Sequence, residues 1–179
     1  MFKGLLYDRF HNEGKVSTKI IGESNFTYIN IIKVLNKIKT NGEWRILDMG
    51  CGVGTLSFYL ASKGNKVLGV DISQKAINTA KETKLKLPKK LDVNFEKLNN
   101  ERLFIKERFD LILLSEVLEH ILNDMLLLKN LTKLLKPKGY LLLSVPSLNA
   151  PLYKLGMLKN FDKEVGHLRR YNEKTIINK

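Results

Sequence analysis

One cysteine, Cys51, stands in the whole chain, so there is no disulfide framework, no cysteine pair to hold a metal and no second thiol. A reducing cytoplasm fits that usage. No apolar stretch approaches the roughly 18 residues of a membrane span, and the apolar run in the opening MFKGLLYDR is too short for a secretory signal. Acidic residues are scarce beside basic ones: 18 Asp and Glu against 31 Lys and Arg give a formal charge of +13. A charge of that size admits a nucleic-acid, phospholipid or acidic-glycan partner. The lysines nevertheless spread along the chain, with modest clusters at Lys81, Lys84, Lys86, Lys89, Lys90 and at Lys133, Lys136, Lys138, near helix C-terminal ends where cations are favoured anyway. The remainder is ordinary. With 179 residues, 44% of them hydrophobic and 27% charged, the chain can bury a core as one domain and is too apolar for disorder.

Residues 46–54 read Ile-Leu-Asp-Met-Gly-Cys-Gly-Val-Gly: an apolar strand that carries Asp48 and runs into Gly50, Gly52 and Gly54. Glycines at alternate positions clear the side chains from a tight turn, so backbone N–H groups and the next helix's N-terminus can touch a nucleoside-type ligand. A dinucleotide site wants Gly-x-Gly-x-x-Gly, with the third glycine packing helix on strand and the helix N-terminus holding a pyrophosphate. Here that third position is Thr55, and Asp48 would oppose a pyrophosphate while suiting a cationic ligand. The segment resembles the first motif of the class I S-adenosylmethionine-dependent methyltransferases, and the resemblance extends over residues 43–171. It implies S-adenosyl-L-methionine as cofactor, bound through Asp48, Gly50, Cys51, Gly52 and Gly54. An NAD-dependent oxidoreductase is the rival reading of the same turn.

The rest of the chain alternates strand and helix. A helix capped by Ser24 carries Tyr28, Ile31, Ile32, Leu35 and Ile38 and ends near Asn41-Gly42. Strands are expected at 45–49, 66–70, 93–95, 109–114 and 140–145. Between them, a helix over 55–63 stops at Gly64-Asn65. Ser73 caps a second, broken by Pro88, and Asn123 caps a third through Met125, Leu128, Leu131, Leu134 and Leu135, ended by Pro137 and Gly139. Such alternation predicts an α/β fold, a doubly wound, Rossmann-like, mostly parallel sheet flanked by helices, with ligands at the carboxyl ends of the strands. One methyltransferase domain is expected over 1–179: an N-terminal helical segment (1–42), a cofactor-binding core (43–145) and an incomplete acceptor-side segment (146–179).

Asp71 ends the second strand, 21 positions after Gly50, where a carboxylate reaches the crevice in which a ribose would lie. By the resemblance, Asp71 holds the ribose and Ile72 packs on the adenine. Relatives often carry Gly-Asp before the fourth strand, beside the adenine amine; Leu98-Asn99 stand there, so Asn99 departs from the pattern while keeping an acceptor. After the fourth strand, Ser115-Glu116-Val117-Leu118-Glu119-His120 resembles the Glu-Val-Leu-Glu-His segment of ubiquinone-type O-methyltransferases, which implies cofactor contacts from Ser115 and Glu116. On a helix Glu116, Glu119 and His120 would share one face. They would then offer a general base, Glu119 or His120, for a hydroxyl, or ligands for a divalent cation. His167, in Gly-His-Leu-Arg-Arg-Tyr (166–171), completes a set resembling that of small-RNA 2′-O-methyltransferases.

Absences narrow the reaction further. No Asn-Pro-Pro-Tyr type segment follows the fourth strand, and no cysteine stands there to attack a pyrimidine, which favours oxygen acceptors. The expected activity is methyl transfer to an oxygen of a small molecule, quinol or sugar. A cofactor-binding fragment without turnover and an RNA 2′-O-methyltransferase are the alternatives. A final helix capped by Asn172 begins just before Lys179, whereas relatives continue into an antiparallel strand hairpin. Its absence is expected to leave Leu141, Leu142 and Leu143 on an exposed sheet edge that could pair two copies.

Overall fold

The computed structural model describes residues 28–38, 40, 42–98 and 105–177. Ser24 and Asn99 lie outside them. Five strands, β1 (Arg45–Met49), β2 (Lys66–Asp71), β3 (Val93–Lys97), β4 (Phe109–Ser115) and β5 (Leu135–Ser144), form one sheet in the order β3-β2-β1-β4-β5. Every pairing is parallel, with Asp48 of β1 opposite Gly69 on one side and Leu113 on the other. The predicted α/β sheet is therefore present, and its order reverses beside β1, where the glycine turn emerges.

Period-two alternation sends neighbouring strand residues to opposite faces. Ile46, Val67, Leu111 and Leu113 face α1 (Ile29–Lys37), α2 (Thr55–Ser62) and α3 (Gln74–Lys86) through Leu35, Leu60 and Ile77. Leu47, Met49, Ile112 and Leu114 face α4 (Asp124–Thr132) through Leu128 and Leu131, together with Leu118 and Tyr171. Burial on both faces explains why β4 reads as a continuous apolar run. Several local signals act as expected: the Ser73 hydroxyl accepts from Ala76 N at 3.1 Å, Asn123 caps α4 through Leu126 N at 3.1 Å, and Gly64 closes α2 with φ +92°. Asn172 and Thr175 cap α7 (Glu173–Ile177) reciprocally, at 2.8 and 2.9 Å.

Three expectations change. Residues 116–120 are not one helix: Glu116 has φ +54°, and only Leu118–His120 form a 3-10 turn. Glu116 therefore does not share a helical face with Glu119 and His120. α4 ends at Thr132 and turns Leu127 rather than Met125 inward, because Asp124 is itself buried against Tyr171. Leu135 pairs with Phe109 as strand, and pairing resumes only at Tyr140; Pro137, which has no N–H to donate, and Lys138, with φ +64°, lie in the interruption. β5 is an edge strand, and among the described residues no strand covers its outer side. Past it, the short helices α5 (Pro151–Lys154) and α6 (Lys159–Val165) lead to Tyr171, which bridges back to Ser147 in parallel register.

Candidate active site

The glycine turn is held from two sides. Gly50 N and Cys51 N both donate to Val70 O, at 2.8 and 3.0 Å, and Gly52 N donates to Asp71 Oδ2 at 2.8 Å. Gly50 (φ +76°) and Gly54 (φ +85°) need glycine twice over: the backbone is left-handed, and a Cβ would overlap Val117 at Gly50 and the Phe95 ring at Gly54. Two of the three glycines thus make room for the protein's own side chains, while Gly50 and Gly52 also line an adjoining cleft of about 380 Å³.

That cleft opens at the carboxyl ends of β1, β2 and β4. Of the residues singled out in the sequence, Gly50, Gly52, Asp71, Ile72, Glu116 and His120 line it. Asp48, Cys51, Gly54 and Ser115 do not. Asp48 lies beneath the turn, 2% exposed, accepting from Ser57 Oγ at 2.6 Å. Burial pushes its pKa up to about 6 against the lowering effect of Ser57, and the charge of Asp71 adds to the rise. Cys51 is buried, and burial pushes its thiol well up. Asp71 accepts from Gly52 N on one oxygen and from Ser73 N, at 2.8 Å, on the other, so it joins the turn to the start of α3. Lining residues to which the sequence reading gave no binding role are mostly apolar: Leu98, Ile121, Leu126 and Leu127, with Asn130 and Val165. Hydrophobic residues on helices carry no mark that separates a cleft wall from core, so only the fold could supply them.

At one side of the cleft three of the proposed ligating groups meet. Glu119, fully buried, and the imidazoles of His120 and His167 bring one ligand atom each to within 4.8 Å of one another. His120 Nε2 lies 3.9 Å and His167 Nε2 3.7 Å from Glu119 Oε1, beyond hydrogen-bond length, and the rings meet edge to face at 4.9 Å. Neither Glu119 oxygen has a hydrogen-bond partner among the described residues. Burial raises the Glu119 pKa to about 8, and the nearby Glu116 charge adds to the rise. Glu116 itself accepts from Ser144 Oγ at 2.6 Å and is not one of the three converging ligand groups, although it lies close enough for its charge to act on Glu119.

Both imidazoles are oriented through Nδ1. His120 Nδ1 is 3.1 Å from Gly166 O, a group that can only accept, so Nδ1 carries the proton. His167 Nδ1 is 2.8 Å from Asp162 Oδ1, and Arg170 grips Asp162 with two bonds of 2.6 and 2.8 Å. The Arg170 hydrogen bonds hold the Asp162 pKa below its ordinary value. Each ring thus turns its Nε2 toward Glu119. The segment bearing His167 is tied down by Leu168 N donating to Glu119 O at 2.9 Å and by Tyr171 Oη at 2.8 Å from Asp124 Oδ2.

Comparison with known proteins agrees with this architecture. Residues 40–176 match the family described as "Methyltransferase domain". The ubiquinone biosynthesis O-methyltransferase of Bradyrhizobium diazoefficiens is 36% identical over 118 residues, covering 65% of this chain and 46% of that protein. Its namesake from Coxiella burnetii is 33% identical over 154 residues, covering 85% and 62%. The chain thus spans about half the length of the curated relatives it matches. Among solved structures, the YcgJ protein from Bacillus subtilis superposes with a TM-score of 0.71 at 19% identity, covering 84% of this chain and 65% of that one. Magnesium protoporphyrin IX methyltransferase from Synechocystis, solved with bound SAH, gives 0.68 at 22%, covering 96% and 78%. Among the described residues no helix is long and apolar enough to cross a membrane.

Proposed function

The chain belongs to the class I S-adenosylmethionine-dependent methyltransferases and is related to their ubiquinone-type members; from that premise we propose that it methylates an oxygen of a small molecule, a quinol-like or sugar hydroxyl. The names of the two relatives support an oxygen acceptor. One observation carries the reading: a basic imidazole nitrogen, His120 Nε2, is fixed on the wall of the cofactor cleft by the Nδ1 bond to Gly166.

The residues present fit the cofactor. Gly50 and Gly52 bring bare backbone to the cleft, Ile72 and Leu98 offer apolar walls for an adenine, and the Asp71 oxygens, each accepting one N–H, retain lone pairs for ribose hydroxyls. When bound, S-adenosylmethionine supplies a methyl group already activated by a sulfonium. The chain has to hold the acceptor in line, exclude water and take a proton. Apolar Val117, Ile121 and Val165 serve the first two tasks. His120 takes the hydroxyl proton on Nε2 while Gly166 O keeps the ring from turning. Asp48 and Cys51 act from beneath the turn, supporting its shape rather than touching the ligand.

The trio also supports a second reading, in which a divalent cation takes the place of the imidazole base. Ligating histidines almost always donate their other N–H to a carboxylate or carbonyl, and both rings here do so. A buried carboxylate without hydrogen bonds needs a proton or a cation. In that reading Glu119, His120 Nε2 and His167 Nε2 would hold the ion, His120 would no longer serve as base, and the ion's charge would acidify the acceptor hydroxyl instead. Calorimetry with S-adenosylmethionine and S-adenosylhomocysteine, beside turnover on quinol acceptors with added magnesium or manganese, tests both parts. Binding with turnover is expected. Binding without product would favour a fragment without catalysis, and indifference to metal and chelator would remove the cation. His120→Ala is expected to reduce turnover more than cofactor affinity; equal losses would make His120 only a wall of the cleft.

A further inference from the structure

We propose that Asp162, clamped by Arg170, is a positioning residue that fixes the tautomer and aim of His167. The inference deepens the reading of the Glu119, His120 and His167 trio as the acceptor-side chemistry and rests on it for its effect on turnover.

A neutral imidazole has one N–H, and the partner of one nitrogen decides what the other can do. Asp162 Oδ1 sits 2.8 Å from His167 Nδ1. Both Asp162 oxygens also accept from Arg170, Oδ1 from Nη2 at 2.6 Å and Oδ2 from Nε at 2.8 Å. An acid gripped this way is an acceptor only, so it places the proton on Nδ1 and leaves the lone pair on Nε2, 3.7 Å from Glu119 Oε1. The ring contacts of His167, with His120 at 4.9 Å and Phe161 at 6.1 Å, do not distinguish the two nitrogens. Asp162, bonded at Nδ1, does.

Arg170 is fixed in turn. Its side chain is 6% exposed, its guanidinium lies 4.7 Å from the Tyr153 ring centre, and Nη1 donates to Ser147 O at 3.4 Å. A continuous path therefore runs from the segment leaving β5, through Arg170 and Asp162, to His167 and Glu119. Neither Asp162 nor Arg170 lines the cleft, so both act through His167 rather than on a ligand.

Nitrogen-15 spectra of the full chain labelled at histidine read the tautomer directly. The wild type is expected to show His167 protonated at Nδ1. Asp162→Asn can turn an amide N–H toward the ring and is expected to move the proton to Nε2. The same variant is expected to lower kcat by on the order of 10–100-fold, the range for residues that orient such imidazoles, with the S-adenosylmethionine Kd unchanged. Asp162→Glu should restore part of both. Wild-type His167 protonated at Nε2, or an Asp162→Asn protein with wild-type tautomer and turnover, overturns the proposal; the first needs no variant to fold. His167→Ala separates the two layers. Undiminished turnover in that variant, with the Nδ1 tautomer present in the wild type, would reject the trio's role in catalysis and leave the positioning intact.

Discussion

Asp71 does two jobs with one carboxylate, and that governs how its loss should be read. It lines the cleft while its oxygens accept from Gly52 N and Ser73 N. Asp71→Ala is therefore expected to weaken S-adenosylmethionine binding by about 1.5–3 kcal/mol, and also to lower the Tm of the ligand-free protein as two N–H groups lose their acceptor. Calorimetry and a thermal melt check the two separately; an unchanged affinity would remove Asp71 as the ribose ligand. Glu119 carries a pH dependence opposite in sign to that of a salt-bridged acid. Its pKa rises from 4.5 to about 8, so between those values the folded chain holds a proton that the unfolded chain has released. Its contribution is fully present below the unfolded value and is lost as pH rises through the folded one. Asp48 adds the same sign over a lower window, from 3.8 to about 6. Metal-free Glu119→Gln should thus lose less stability than the wild type between about pH 4.5 and about pH 8 in urea unfolding. Parallel declines would mean that Glu119 is ionised throughout.

At the scale of elements, the segment Arg169–Tyr171 acts as a strap. Arg169 Nη1 lies 2.8 Å from Asp124 Oδ2, Tyr171 Oη reaches the same carboxylate and, at 3.2 Å, Leu118 O, and Arg170 holds α6 through Asp162. Tyr171→Phe deletes one hydroxyl from a buried site, and its expected cost is about 1–3 kcal/mol in urea unfolding, because Asp124 stays buried with one partner fewer. A cost near zero would show Arg169 sufficient by itself. The strap also marks where sequence reading stops. β1, α2, β2 and the caps at Ser73, Asn123 and Asn172 were legible because caps, glycine stops and apolar periodicity act between residues a few positions apart. The conformation of residues 116–120 was not: the left-handed turn at Glu116 places Val117 against Gly50, a contact between the loops that follow β4 and β1, distant in sequence. Likewise Asp162, five residues before His167, reads as an ordinary surface acid until Arg170 closes on it. Of the candidate site, the glycine turn and Asp71 at the cleft and the meeting of Glu119 with both histidines concern residues that the sequence already singled out. The position of Asp48 and Cys51 beneath the turn rather than in the cleft was not legible, since strand parity alone does not say which side the ligand takes.

For the whole molecule, two bulk features make separate demands. The charge of +13 would serve an RNA acceptor, and the small-molecule reading instead expects no binding to RNA at physiological salt. Steep, salt-dependent RNA binding, seen as a large slope of log affinity against log salt, would move the acceptor class to nucleic acid. The sheet edge makes the other demand. β5 ends the order β3-β2-β1-β4-β5, carries Leu141, Leu142 and Leu143 half-buried, and exposes Tyr140, which stacks on Trp44 at 5.8 Å. Among the described residues this apolar strand has one side unpaired, which makes it a template for another strand, and a lysine at such an edge discourages pairing by charge repulsion and desolvation. The chain is therefore expected to self-associate as its concentration rises in sedimentation velocity. Tyr140→Lys, which changes an already exposed side chain, should return it toward monomer with the S-adenosylmethionine affinity retained. A wild-type protein that sediments as one monomeric species at every concentration would show that this edge does not pair copies of the chain.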